Sequence, residues 1–148
     1  MYRNYNNGIE RFLEPNNEDY EIALKEINNG HKDSHWIWYI FPQLKELGKR
    51  FTAKYYGIDG IEEATAYWQN DYLRNNLLEI TKLLLQHKDK SAYQIMGDSS
   101  VDEKKLCSCM TLFSMVDGSD KIFSEIIDIF FDGKPDKRTL NYLQKNEN

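Results

Sequence analysis

Cysteine is nearly absent from this chain of 148 residues: there are two, Cys107 and Cys109, only two positions apart. That spacing excludes a disulfide framework and the paired Cys-x-x-Cys clusters of a zinc ribbon. On a helix the two thiols project roughly 200° apart, so they cannot bridge each other, and one is expected in the core with the other partly exposed. Histidine is equally scarce, with three in all. His31 and His35 are four apart, the separation that puts two ligands on one helical face. No Glu stands in zincin position between them and His87 is remote, so no metal site is expected. Three prolines and eight glycines are too few for a collagenous or linker-like chain. Neither Gly57-Ile58-Asp59-Gly60 nor Gly97-Asp98 has the spacing of a phosphate loop, which argues against an ATP-hydrolysing machine. No nicotinamide or flavin motif is visible, so no cofactor is evident and the requirement stays open. The longest apolar run, Trp36 to Pro42, falls far short of the about 18 residues that span a bilayer. Nothing before it resembles a signal peptide. The expectation is a soluble, cytoplasmic protein with no membrane partner.

What remains is ordinary globular material, 41% hydrophobic and 29% charged, long enough for one core and one domain over residues 1–148, with the core within about 9–143. The net charge of −5 argues against a nonspecific nucleic-acid coat, which rests on counterion release by many Lys and Arg. Yet from His31 to Lys54 five basic residues (Lys32, Lys45, Lys49, Arg50, Lys54) stand against Asp33 and Glu46, so this stretch is +3 and the remainder −8. An acidic chain thus carries one basic, aromatic segment, whose lysines could equally be a solvated helix face.

Stop signals cut the sequence into short pieces of helical spacing, with almost no alternating runs, which predicts an all-α fold. The expected architecture is a single compact orthogonal helical domain of about seven to nine short helices. A turn at Ile9 to Leu13 is halted by Pro15, and Asn16 or Asn17 caps a helix through Asn28 with Gly30 just past its end. Asp59 caps a helix whose Ala64, Tyr67 and Trp68 share a face. Asp71 starts a longer one through His87 that buries Leu73, Leu77, Ile80 and Leu84. Ser100-Val101-Asp102-Glu103 reads as a capping box opening a helix with the stripe Leu106, Cys109, Met110 and Phe113. Ser119 caps the next helix, and Asp136 to Leu143 supplies the last. The aromatic run Trp36 to Phe41 could be a strand by propensity, but it has no partner strand, so a buried helix capped by Asp33 or Ser34 and ended by Pro42 is the better solution.

Polar residues of several kinds crowd the entrance to that helix. A helix start presents unpaired N–H groups and a partial positive charge, a seat for an anion, and Lys32 and a protonatable His35 would add to the field. Capping by Asp33 or Ser34, with His35 hydrogen-bonded inside the fold, is the structural alternative. Ser34, Ser108 and Thr111 are candidate nucleophiles for a base at His35, although no Gly-x-Ser-x-Gly elbow occurs. Trp36, Trp38 and their aromatic neighbours could stack on a ligand or fill the core.

The run Gly30-x-Lys32-x-Ser34-His35-Trp36-x-Trp38-Tyr39-Ile40-Phe41-Pro42-Gln43, then Leu47-Gly48, Tyr55-x-Gly57-Ile58, Glu63-Ala64-x-Ala66-Tyr67, and Leu106-x-Ser108-x-Met110-Thr111-Leu112-Phe113, resembles a known bacterial family. This is the domain of unknown function numbered eighteen-ten, whose members are often mislabelled calpastatin. The ending Phe130-Phe131-x-Gly133-x-x-Asp136-x-x-Thr139-Leu140 is similar too, so the resemblance runs from about Ile9 to Leu143. It implies a mainly helical domain and supplies no activity to carry over. The family commonly has Arg where His31 stands and Ser at Cys107 or Cys109, which counts against both as obligatory chemistry. His35, Ser34, Trp36, Gln43 and Thr111 match the pattern.

Three functional readings follow. In the first, Lys32, Ser34, Trp36, Trp38, Gln43 and Thr111 line a pocket for a small anionic or nucleotide-like metabolite, with His35 as catalytic acid or base, since its ordinary pKa of about 6.5 suits that work. The second is a structural or protein-interaction module with no catalysis. The third, nucleic-acid binding through Lys45, Lys49, Arg50 and Lys54, is disfavoured by the acidity of the rest of the chain.

Overall fold

The computed structural model describes residues 8–146, and among them are nine α-helices and no strand. Helix α1 (Leu13–Asn28) continues directly from a 3-10 turn at Ile9–Phe12. The sequence-based expectation of a break at Pro15 is corrected here. Pro15 lies in the first turn, where N–H groups have no intrahelical acceptor, so its missing donor costs nothing. Asn16 is not a cap either. It is buried, and its amide donates to Phe12 O at 3.0 Å and to Tyr39 O at 2.9 Å.

Helix α2 (Ile37–Ile40) is a single turn ended by the backbone before Pro42, as its sequence predicts. Every residue from Trp36 to Phe41 is buried except Trp38. After it, Gln43 to Ile58 forms an arch containing the 3-10 turn Lys45–Leu47 and helix α3 (Phe51–Tyr55). An isolated parallel bridge closes the arch, with Ile58 N donating to Gln43 O at 2.9 Å and Lys45 N to Ile58 O at 2.8 Å. Gly57 permits this approach: a Cβ there would stand 2.2 Å from Lys45 Cα. Arg11 braces the base of the arch. Its guanidinium pairs bidentately with the buried Glu63 carboxylate (2.8 and 3.1 Å) and donates to Tyr55 O and Gly57 O.

Helices α4 (Ile61–Gln69), α5 (Asp71–Leu83), α6 (Ala92–Ile95), α7 (Ser100–Ser114), α8 (Ile122–Phe130) and α9 (Lys137–Lys145) complete the chain. Their starts differ from the sequence expectation in instructive ways. Asp59 does not cap α4, which begins at Gly60 with no side-chain cap. Asn70 caps α5, and the expected continuation to His87 tightens to a 3-10 turn after Leu83. The cap of α7 is Ser99, one residue before the expected box, its Oγ accepting from Asp102 N. At α8 the carboxylate of Asp120 accepts from Ile122 N, while Ser119 turns back to Phe113 O. Asp136 does cap α9, accepting from Thr139 N.

The core is one continuous cluster centred on α7, against which α2, α4, α6, α8 and α9 pack, while α1 and α5 pair alongside. Leu106, Cys109, Met110 and Phe113 face inward as their spacing predicts. The adjacent stripe of α7, Val101, Lys104, Lys105 and Ser108, has the same three- and four-residue spacing and runs from exposed at Val101 and Lys104 to buried at Ser108.

Candidate functional site

The entrance to α2 is occupied by the protein's own carboxylate. Glu26, on α1, accepts from Asp33 N (2.8 Å), Ser34 N (2.9 Å), Ser34 Oγ (2.5 Å) and the indole Nε1 of Trp36 (2.9 Å). Partial burial pushes its pKa up, but the four hydrogen bonds outweigh that and lower it to about 2. Where the sequence predicts a seat for a bound anion, Glu26 supplies the negative charge. Neither Asp33 nor Ser34 caps α2 with its side chain.

Lys32 is buried as well. Its ammonium lies 2.8 Å from Asp102 Oδ2 and 5.0 Å from the Trp36 ring, and its backbone N–H donates to Ile95 O. A positive φ at Gly97, whose added Cβ would stand 2.3 Å from Lys32 O, keeps that segment close to the turn before α7. His35 is exposed, and its imidazole has no hydrogen bond or ion pair among the described residues. Lys32, Ser34 and Trp36 therefore form an internal network, and His35 stands outside it.

Trp38 and Gln43 go elsewhere, to the wall of a groove of about 800 Å³ between the arch, α7 and the start of α9. This is within the size range of small-molecule sites, roughly 300–1,000 Å³. Lys49 and Arg50 enter from the arch, Lys104 and Lys105 from α7, and Arg138 from α9, opposed among the described lining residues by the carboxylate of Asp136. Among the described residues, Lys49, Arg50, Lys104 and Arg138 form no ion pair. Lys105 lies 3.9 Å from Asp102 Oδ1 and 5.1 Å from the centroid of Trp38. Burial lowers its pKa; Asp102 opposes that, while Lys32 and Arg50 lower it further.

Two polar side chains of the groove are more than nine-tenths buried. Gln43 is 8% exposed, and its amide makes one long contact, Nε2 to Phe41 O at 3.5 Å. Ser108 is 6% exposed, and its hydroxyl has no hydrogen-bond partner among the described residues. Thr111 lies one turn deeper, fully buried, donating to Cys107 O and accepting from Asp136 N, both at 2.8 Å. It does not line the groove but ties the start of α9 to α7.

The structure thus brings together Trp38 and Gln43, two of the sequence-predicted ligand residues, with Ser108 beside them. It adds Lys104, Lys105, Asp136 and Arg138, which sequence reasoning missed. The spacing of Val101, Lys104, Lys105 and Ser108 was a readable signal for a second polar face on α7; nothing local indicated that Arg138 would join it. Cys109 is buried, and burial pushes the half-buried Cys107 thiol up to about 11, the reverse of an activated nucleophile. No group of three or more His, Cys, Asp or Glu suited to a metal ion occurs among the described residues. No helix among them is long and apolar enough to cross a membrane.

The sequence matches a family model over residues 6–143. The chain belongs to the DUF1810 family, described as a protein of unknown function. A solved structure, that of the conserved hypothetical protein Rv1873 from Mycobacterium tuberculosis, superposes with a TM-score of 0.87 at 37% identity, covering 91% of this chain and 95% of that one. No curated protein matches the sequence.

Proposed function

We propose that this DUF1810 protein binds a small anionic metabolite in the groove between the arch, α7 and α9, in the cytoplasm of a bacterium. One observation carries the reading: four cations from three separate elements converge on one cavity with no ion pair among the described residues, in a chain of net charge −5. Solvated lysines on a random face do not require this convergence, and clustering like charges around a concave cleft raises the local potential that attracts an anion. The unpartnered Ser108 hydroxyl and the Gln43 amide supply directional hydrogen bonds, and Trp38 an apolar wall. His35 has no part in binding, and no catalytic step is assigned.

The test is a thermal-shift panel of phosphorylated sugars, nucleotides and inorganic phosphates on the full chain. A ligand at about 100 times its Kd stabilises by about 2.7 kcal/mol, which for a chain of this size is a rise of roughly 5–10 °C. The exposed pair R50E/R138E removes that rise without lowering the unliganded Tm, and H35A retains it. No rise with any anion in the wild type would overturn the proposal and favour an interaction module.

A further inference from the structure

The groove is chemically mixed. Its lining combines the cationic Arg50, Lys105 and Arg138 with the uncharged Trp38, Gln43 and Leu47. A phosphate monoester carries about −1.5 to −2 at pH 7, too little to balance Lys49, Arg50, Lys104 and Arg138 against Asp136, whereas a terminal plus a bridging phosphate carries roughly −3. Inorganic diphosphate matches the charge but leaves much of an 800 Å³ cavity filled only with water. The Gln43 amide presents a donor and an acceptor side by side, the pattern that reads the edge of a nucleobase. Resting on the anion-binding reading, we infer that the ligand is a nucleoside diphosphate, its phosphates among Arg50, Lys105 and Arg138 and its base between Trp38 and Gln43.

The two ends are coupled through Lys105. Its ammonium sits over the Trp38 ring at 5.1 Å, a cation–π contact that blocks the face a base would stack on. A phosphate that engages Lys105 draws the ammonium off the ring and opens that face. Neither half of the ligand binds well alone.

Calorimetric titration of the wild-type chain with ADP, GDP, CDP and UDP, and with AMP, adenosine and inorganic diphosphate, tests this without a mutation. At least one nucleoside diphosphate is expected to bind tenfold or more tighter than AMP and than inorganic diphosphate, with adenosine weaker still. The same titration changes the tryptophan fluorescence, and that change is lost in W38F. Equal affinity for inorganic diphosphate and every nucleoside diphosphate overturns the nucleotide assignment and leaves the anion site standing. Binding of none of these compounds overturns both. Phe51 is 80% exposed and stacked on Tyr55 on α3 next to the groove, so a short oligo(dT) is included. An oligomer held tenfold tighter than any nucleoside diphosphate makes this a single-strand surface and overturns the assignment.

Discussion

Glu26 accepts the indole N–H of Trp36 at 2.9 Å from a carboxylate that also holds Asp33 N, Ser34 N and Ser34 Oγ. One acidic side chain of α1 thereby fixes the whole approach to α2, and with it the direction in which Trp38 leaves the core. Hydrogen bonds to a charged group contribute about 1.5–3 kcal/mol, and Glu26→Gln replaces one good acceptor by a competing donor. A loss of about 2–3 kcal/mol at pH 7 is expected in urea unfolding. The folded pKa of about 2 lies below the ordinary 4.5, so this stabilisation is complete above about pH 4.5 and is lost as pH falls toward 2. The gap between wild type and E26Q therefore narrows over that window; a gap that widens on acidification contradicts the assignment.

Lys32 acts on the groove without lining it. Its ammonium takes the nearer share of Asp102 at 2.8 Å, leaving Lys105 at 3.9 Å from the other oxygen. Lys32→Met leaves the carboxylate to Lys105 alone. Breaking so buried a pair costs about 3 kcal/mol, and the freed carboxylate neutralises Lys105 and weakens anion binding several-fold. The double variant K32M/D102L recovers much of the stability, because the uncompensated charge is gone; a double variant as unstable as the sum of the singles would show that the two residues do not interact.

The helical class, the buried turn Trp36 to Phe41, its stop before Pro42 and the inward stripe of α7 were all legible, because each follows from local spacing and backbone sterics. The caps of α5 and α7 were legible to within a residue, Ser99 and Ser100 being chemically identical with tertiary packing choosing between them, whereas those expected at Asn16 or Asn17 and at Asp33 or Ser34 were not. That N–H groups ahead of α2 would meet a negative charge was legible from the polar residues crowded there. That the charge would be Glu26, eight residues upstream of Ser34, depends on how α1 folds back. The groove itself was half legible: Trp38 and Gln43 were named, but Arg138 joins them on its wall only through the packing of α9 on α7, across about a hundred residues of sequence, which no periodicity encodes.

Gly57→Ala tests the arch. The added Cβ would fall 2.2 Å from Lys45 Cα, a backbone neighbour that cannot move aside without opening the Leu44–Ile58 bridge. A cost of about 3 kcal/mol is expected, as for overpacking, together with loss of ligand-induced stabilisation, because Gln43, Lys49 and Arg50 all depend on the arch. Gly60→Ala, where an added Cβ meets nothing within 4 Å, is the matched control and should retain the ligand-induced rise in Tm.

His35→Ala distinguishes the groove from the helix entrance. The side chain is exposed and without a partner among the described residues, so the change in stability should fall within about 0.5 kcal/mol. Ligand affinity should match wild type within twofold. A tenfold loss would bring His35 back into the binding site.

Thr111→Val separates positioning from contact. The substitution keeps shape while deleting the acceptor of Asp136 N and the donor to Cys107 O. Each net hydrogen bond is worth about 1 kcal/mol, and the Asp136 N–H is left with an apolar neighbour, so a loss of about 1–2 kcal/mol is expected. Thr111 touches no ligand in the proposed arrangement, but the start of α9 carries Arg138 into the groove, and releasing it makes the cation less well placed. Binding should weaken about three- to tenfold at pH 7. The same weakening should be absent when R138E is already present, because the residue being positioned is then no longer a cation. A full, additive effect of T111V in the R138E background would mean that Thr111 serves the groove by some route other than α9.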